Sequence, residues 1–259
     1  MKSIIQNKTH KIEHENGIKI LFALESGSRA WGFPSTDSDF DVRFIYVRPL
    51  EDYLRINSKN DFLDFPINDE LDINGWDLRK FLKHLYASNA TPFEWMQSPI
   101  FYSKEIEYYQ LVYEILPDFY CQQTVVHHYL GLVKKQIALL NSEQVKLKTL
   151  FYILRSLLAA KYCLQQNHYP PMEFEKLSFL VEHEIVKKEI ENLIVVKSKG
   201  IESDLTQLSM QLFLYLHELY QEISTAPKTK RKGTFDEELL EITYLKLVKN
   251  ANDRFFKAT

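Results

Sequence analysis

Two aspartates separated by a single residue, Asp39 and Asp41, have the spacing that places two carboxylates side by side. In an extended strand, residues i and i+2 point to the same face. Two negative charges this close repel each other unless a cation lies between them. The pair is therefore predicted to bind a hard divalent ion such as Mg²⁺, which prefers carboxylate and phosphate oxygens.

A glycine-serine pair, Gly27-Ser28, precedes the aspartates and follows an apolar run over residues 18–24. Gly27 permits a sharp turn and a close backbone approach to a ligand, because it has no Cβ. Ser28 offers a hydroxyl and a backbone N–H at the start of a short predicted helix, where anionic phosphate is favoured. Arg29 adds a positive charge beside it. These three residues are the predicted phosphate-binding positions.

A third carboxylate is expected on a neighbouring strand, and Asp72, which lies between two apolar residues, fits that position. Glu70 lies on the same face of the same predicted strand and stays an alternative. In a two-metal site Asp72 would orient or deprotonate an attacking hydroxyl, while Asp39 and Asp41 hold both ions. Asp77 is instead predicted to cap a helix, because an amphipathic run follows it.

The elements that position these residues change character near residue 100. Upstream, short β-like runs predict strands over 19–25, 40–48, 61–66 and 70–74. Downstream, the hydrophobic pattern predicts helices over 105–116, 121–140, 142–166, 173–180, 185–197, 204–225 and 235–249. The predicted fold class is α+β, with an α/β catalytic domain over residues 1–102 followed by an all-helical domain over 103–259.

One face of the helix predicted over 142–166 carries Lys148, Tyr152 and Arg155 beside an apolar stripe. A solvated charged face and a nucleotide-binding face are both open interpretations. In the second, Arg155 would bind triphosphate in a cleft between the two domains and stabilise the leaving pyrophosphate. Trp31 and Trp76 lie in the motif segments and are candidates for stacking on a base.

The composition is that of a chain able to form a core without disulfides: 259 residues, 45% of them hydrophobic. Cys121 and Cys163 lie in separate apolar contexts, which fits two buried thiols in a reducing cytoplasm. No apolar stretch approaches the roughly 18 residues of a spanning helix, so neither export nor a membrane anchor is expected. A net charge of −3 disfavours a long nucleic-acid footprint. The basic segment over 228–233 is either a solvated loop or a contact to RNA or triphosphate.

Four segments carry a resemblance to a known family: GSRAWG (27–32), STDSDFDVR (35–43), DINGWDLRK (72–80) and EWMQSPI (94–100). Together they resemble the DNA polymerase β-like nucleotidyltransferase superfamily. More closely, they are similar to the bacterial and phage family of predicted nucleotidyltransferases that includes the RNA-repair-associated RlaP proteins, and the similarity continues into 152–161. The resemblance implies a nucleotidyltransferase domain with a mixed sheet and a complete set of metal ligands at Asp39, Asp41 and Asp72.

The resemblance also implies a reaction. A nucleoside monophosphate would pass from a nucleoside triphosphate, ATP among the candidates, to an acceptor hydroxyl with release of pyrophosphate. Two Mg²⁺ ions would be the cofactors, with Mn²⁺ as an alternative. The acceptor would be an RNA end, a protein hydroxyl as in toxin–antitoxin systems, or a small molecule, because a shared fold does not choose among them. A catalytically silent nucleotide-binding module is the alternative from another class. The base and the oligomeric state stay open.

Overall fold

A computed structural model describes residues 1–67, 70–141, 144–231 and 234–257. The fold class is α+β, as predicted: a mixed five-stranded sheet dominates the first part of the chain and helices dominate the second. The sheet consists of β1 (Lys19–Glu25), β2 (Phe40–Val47), β3 (Phe62–Asp64), β4 (Leu71–Asp77) and β5 (Phe101–Lys104), in the order β3-β4-β2-β1-β5. A two-stranded ladder joins β6 (Val145–Lys146) to β7 (Leu205–Thr206).

The strand directions make the sheet mixed. β1 pairs antiparallel with both β2 and β5, and β3 pairs antiparallel with β4. β2 and β4 pair in parallel, so corresponding ends of these two central strands lie side by side. The predicted strands correspond to β1 through β4. β5 was not predicted, because a four-residue strand has little periodicity of its own and depends on pairing with β1.

The helices are α1 (Lys2–Asn16), α2 (Gly27–Trp31), α3 (Leu50–Tyr53), α4 (Leu78–Tyr86), α5 (Ala90–Trp95), α6 (Ile106–Ile115), α7 (Gln122–Lys134), α8 (Leu147–Gln166), α9 (Glu175–Ser178), α10 (Glu184–Lys199), α11 (Met210–Thr225) and α12 (Glu237–Ala251). Short 3₁₀ turns follow at Leu116–Phe119 and Ile137–Asn141, and a π turn at Asn252–Phe256.

Several helix boundaries differ from the predicted ones for identifiable reasons. α11 begins at Met210 rather than near residue 204, because Leu205–Thr206 forms a strand and the Ser209 hydroxyl accepts the Leu212 N–H as a helix cap. α8 begins at Leu147, and residue 142, the predicted start, lies outside the described residues. α1, α3 and α5 were not predicted. α1 is mostly polar and buries Ile5, Thr9 and Ile12.

By their internal contacts, the described residues form two compact units. The first, here the sheet unit, is the described part of Met1–Ser26, Asp39–Phe119 and Gly233–Thr259. The second, here the helical unit, is Gly27–Ser38 together with the described part of Tyr120–Lys232. Compact units differ from independently folding domains, so the boundary predicted at residues 102/103 stays a prediction.

The core of the sheet unit packs α1 against the sheet, with Ile5 and Ile12 among the buried side chains of β1, β2 and β4. One close approach in this core requires glycine. A Cβ on Gly75 of β4 would lie 2.1 Å from the ring of Phe44 of β2, so a hydrogen at this position makes room for the ring. Among the described helices, none is long and apolar enough to cross a membrane.

Candidate functional site

The two central strands bring two predicted carboxylates together. In the parallel register of β2 and β4, Asp41 stands directly opposite Asp72. Neighbouring strands lie about 4.8 Å apart, so the two side chains, which share one face, are neighbours. Their side chains are 26% and 24% exposed, so both are in contact with solvent. The structure thus places the predicted third carboxylate, Asp72, beside Asp41.

A guanidinium joins the two carboxylates. Nη2 of Arg43 lies 2.9 Å from Oδ1 of Asp41 and 2.7 Å from Oδ2 of Asp72. Its other terminal nitrogen, Nη1, donates to the backbone carbonyls of Val42 and Asp72 at 3.1 and 2.9 Å. Arg43 follows Asp41 by two residues on β2 and therefore shares its face. The i+2 spacing of Arg43 from Asp41 is the sequence signal that could have indicated its position beside the carboxylates.

A buried glutamate fixes the backbone at Asp41. Glu25, at the end of β1, is fully buried, and its Oε1 accepts the Asp41 N–H at 2.9 Å. Its Oε2 accepts the Tyr102 hydroxyl. The Asp41 carbonyl in turn accepts the Ser26 N–H at 2.8 Å. Both backbone polar groups of Asp41 are therefore held. Glu25 was not predicted to take part, because nothing in the local sequence distinguishes it from other residues at strand ends.

The remaining two acidic candidates lie just before their strands. Asp39 precedes β2 and is exposed, and Glu70 precedes β4 and is also exposed. The Glu70 carbonyl accepts the Phe40 N–H at 2.8 Å, which closes the start of the β2–β4 ladder. Within the described residues, no group of three or more His, Cys, Asp or Glu side chains is arranged to hold a metal ion. The geometry groups Asp41 with Asp72, and the metal-ligand roles of all three aspartates stay predictions.

The glycine-serine segment belongs to the helical unit. Gly27 has φ +60°, a left-handed conformation that glycine adopts without strain, as predicted for a sharp turn. Ser28 and Arg29 both bind Ser38: the Ser28 hydroxyl donates to the Ser38 hydroxyl at 3.1 Å, and Nη2 of Arg29 donates to the Ser38 carbonyl at 2.6 Å. These contacts fold residues 27–38 into a closed loop.

The C-terminal end of α10 holds this loop. Nζ of Lys197, which is 1% exposed, donates to the Ser35 hydroxyl at 2.6 Å. The Thr36 N–H and hydroxyl both donate to the Gly200 carbonyl, at 3.0 and 2.9 Å. Burial lowers the pKa of Lys197. Sequence spacing could not reveal this contact, since more than 160 residues separate the partners.

Two further bonds continue the same attachment beyond Gly200. The Glu202 N–H donates to Oδ1 of Asp37 at 2.8 Å, and the Ser38 hydroxyl donates to Oε1 of Glu202 at 3.2 Å. Nζ of Lys148 lies 2.5 Å from Oε2 of the same glutamate. Lys148, a member of the face predicted to bind nucleotide, thus forms an ion pair with this attachment.

Arg155 lies inside the helical unit. Its side chain is nearly buried, with Nε and Nη2 donating to the Met172 carbonyl at 3.2 and 3.1 Å. The guanidinium also lies over the indole of Trp31, 4.4 Å from the ring centroid. Its predicted contact to triphosphate stays a prediction. The Trp31 ring packs edge-on against Tyr152, and its buried Nε1 has no hydrogen-bond partner among the described residues.

Other predicted positions are distributed over both units. Asp77 caps α4 as predicted, since its side chain accepts the Arg79 N–H at 2.8 Å, and burial raises the pKa of this carboxyl. Trp76 stacks on His84, 4.6 Å between centroids. Cys163 is buried and Cys121 is partly buried. Of the basic segment, residues 232 and 233 lie outside the described residues.

Comparison with known proteins identifies the family of the chain. A family model described as "RNA repair pathway DNA polymerase beta family" matches residues 1–245. The chain is thus a nucleotidyltransferase-like protein of the DNA polymerase β class. More narrowly, it belongs to the RlaP family, as the sequence motifs indicated.

Two individual proteins are similar to this chain. "Uncharacterized protein YcgL" of Bacillus subtilis (strain 168) is 40% identical over 207 residues, which cover 79% of this chain and 80% of that protein. A crystal structure of a nucleotidyltransferase-like protein from Exiguobacterium sibiricum 255-15 is 12% identical, with a TM-score of 0.31, covering 97% of this chain and 81% of that one. The family assignment depends on the sequence matches.

Proposed function

We propose that this protein is a metal-dependent nucleotidyltransferase that moves a nucleoside monophosphate from a nucleoside triphosphate to an acceptor hydroxyl and releases pyrophosphate. The single observation that carries the proposal is the pairing of Asp41 with Asp72 in register on adjacent parallel strands. An RNA end is the proposed acceptor, because the family to which the chain belongs is described by an RNA repair pathway.

The carboxylate pair fits a hard divalent cation. One nitrogen of Arg43 lies within 3 Å of an oxygen from each carboxylate, so a single positive group already bridges them. Asp41 and Asp72 both offer carboxylate oxygens, the ligands that Mg²⁺ and Mn²⁺ prefer. Asp39, Asp41 and Asp72 are the residues proposed to hold two such ions. When bound, the metal would polarise the phosphate and lower the pKa of the attacking hydroxyl.

The chain's own residues have separate proposed tasks. Asp72 orients the acceptor hydroxyl and accepts its proton, because it is the carboxylate on the neighbouring strand. Gly27 and Ser28 bind the outer phosphates through backbone N–H groups and a hydroxyl, and Arg29 balances their charge. Arg155 is proposed to stabilise the leaving pyrophosphate, for which its guanidinium must exchange the Met172 carbonyl for phosphate oxygens.

The test is a label-transfer assay with the purified protein. Each of the four α-³²P ribonucleoside triphosphates is incubated with Mg²⁺ or Mn²⁺, with and without total cellular RNA, and the RNA, protein and small-molecule fractions are separated. Label in RNA supports an RNA acceptor. Label confined to protein or to a small molecule keeps the nucleotidyltransferase and replaces the acceptor.

Three variants connect the assay to the site. Asp41→Asn and Asp72→Asn are expected to lower label transfer by at least about 100-fold, which corresponds to the several kcal/mol that a metal contributes to the transition state. Asp64→Asn, an exposed aspartate on β3 of the same sheet, is the matched control and is expected to keep full activity. Transfer by Asp41→Asn at the rate of the unaltered protein would refute the proposed site.

A further inference from the structure

The guanidinium of Arg43 is anchored independently of the two carboxylates. Nη1 binds two backbone carbonyls, and the side chain is 14% exposed. A flexible surface cation that happened to meet the carboxylates would lack these backbone bonds. The positive charge between Asp41 and Asp72 is therefore a built part of the β2–β4 ladder.

This charge changes what the site attracts. The two carboxylates carry two negative charges, and Arg43 reduces the local sum to one. If the guanidinium stays in place, it repels a free divalent ion that approaches the pair. If it must first be displaced, the ion has to compete with it for the two carboxylates. A metal ion carried by a nucleoside triphosphate arrives with negative phosphates, which the same guanidinium attracts.

We propose that Arg43 is a specificity-determining residue, whose charge makes the Asp41–Asp72 pair favour a metal–nucleotide complex over the free metal ion. This inference depends on the proposed nucleotidyltransferase function and adds a selection step to it. Because the effect is electrostatic, removing the charge should change the affinities for the free ion and for the metal–nucleotide complex in opposite directions.

The test measures binding rather than turnover. Mn²⁺ is titrated into the protein while electron paramagnetic resonance follows the free ion, first alone and then with α,β-methylene-ATP, whose α–β bridge is not cleaved in nucleotidyl transfer. Arg43→Gln is expected to bind free Mn²⁺ about tenfold more tightly and the Mn²⁺–nucleotide complex about tenfold more weakly, each a change of 1.4 kcal/mol. Arg43→Lys keeps the charge but has a single donor nitrogen in place of the guanidinium fork, so both affinities are expected to fall between those of the unaltered protein and those of Arg43→Gln.

Two results would overturn the inference: no gain in free Mn²⁺ affinity in Arg43→Gln, or an Arg43→Lys variant that behaves like Arg43→Gln, which would show that geometry rather than charge matters. Arg43→Met supplies a second neutral variant, with circular dichroism as the check on folding. If neither neutral variant folds, the unaltered protein decides, because the inference requires free Mn²⁺ to bind at least about tenfold more weakly than Mn²⁺ with the nucleotide.

The Asp41→Asn variant separates this inference from the proposed function. Asp41→Asn is introduced into the unaltered protein and into Arg43→Gln, and Mn²⁺ affinity is measured in each. If the substitution changes the affinity in neither, the metal site is wrong and the proposed function fails with it. If binding depends on Asp41 but does not respond to the charge at Arg43, the metal site stands and only the selection by Arg43 is refuted.

Discussion

Replacing Glu25 tests how the carboxylate strand is held. The Glu25 carboxylate is fully buried and accepts two hydrogen bonds, from the Asp41 N–H at 2.9 Å and from the Tyr102 hydroxyl. Tyr102 is itself 5% exposed, so water does not readily replace either bond. In Glu25→Leu both donors lose their acceptor in a buried environment, and the start of β2 at Asp41 loses the contact that fixes its backbone.

The size of the effect follows from these two donors. A buried donor left without an acceptor costs about 1–3 kcal/mol, so the pair costs about 2–6 kcal/mol. Removing the buried carboxyl group offsets part of this cost, because its polar oxygens no longer have to be desolvated. We expect Glu25→Leu to lower the free energy of unfolding by about 2–4 kcal/mol. Glu25→Gln is expected to cost under about 1.5 kcal/mol, because the amide oxygen accepts from Asp41 while its NH₂ donates to Tyr102.

Urea unfolding followed by circular dichroism measures the free energy, and hydrogen exchange of peptides that span Asp41 measures the local effect. Tyr102→Phe is the matched control, since it removes one donor and keeps the ring, and it is expected to cost about 1–2 kcal/mol. The reasoning is refuted if Glu25→Leu is as stable as the unaltered protein, or if Glu25→Gln is as unstable as Glu25→Leu.

Three other predictions address packing and charge. Gly75→Ala should lower the free energy of unfolding by about 1–3 kcal/mol, because its Cβ would lie 2.1 Å from Phe44, and Phe44→Leu in the same chain should recover part of that loss in urea titrations. Burial lowers the pKa of Lys197 from 10.5. Between the lowered pKa and pH 10.5, the unfolded chain binds more protons than the folded protein, so the free energy of unfolding should rise as the pH increases through this range. Lys197→Met should remove this rise, and an unchanged slope in unfolding titrations at several pH values would contradict it. Arg155→Lys should cost about 1–3 kcal/mol, because lysine lacks the planar fork that binds the Met172 carbonyl, and a variant of unchanged urea midpoint would argue against a structural role.

The parts of the fold that the sequence predicts are those with strong local periodicity. β1 was predicted with its exact bounds, because a run of apolar residues ends at a glutamate and a turn. β5 and the β6–β7 ladder were missed, because their sequences show no β-like run of their own and these strands are defined by pairing with partners. The polar helix α1 was missed for a related reason: its buried face consists of only three residues, too few to give a clear helical pattern.

In the candidate site too, the sequence predicts the contacts that follow from local spacing and not those that depend on distant parts of the chain. Spacing predicted that Asp41 and a residue of the next strand would be neighbours, and the register of β2 and β4 pairs Asp41 with Asp72. Spacing could not indicate that Arg43 would bridge them, because the contact depends on the register of β2 and β4, which brings the carboxylate and carbonyl of Asp72 within reach of the guanidinium. Similarly, helical periodicity placed Arg155 on a face with Lys148 but could not indicate that Trp31 and the Met172 carbonyl would meet it.

The glycine-serine segment shows why a short motif does not define a working loop by itself. Ser38 accepts hydrogen bonds from the Ser28 hydroxyl and the Ser35 N–H, and donates its own proton to Glu202, so its hydroxyl is fully used. The partners inside the motif close the loop, whereas Glu202 and Lys197 attach it to the end of α10. The conformation that Gly27 permits therefore depends on side chains more than 160 residues away, and the same residues transplanted without α10 would lose the hydrogen bonds that fix them.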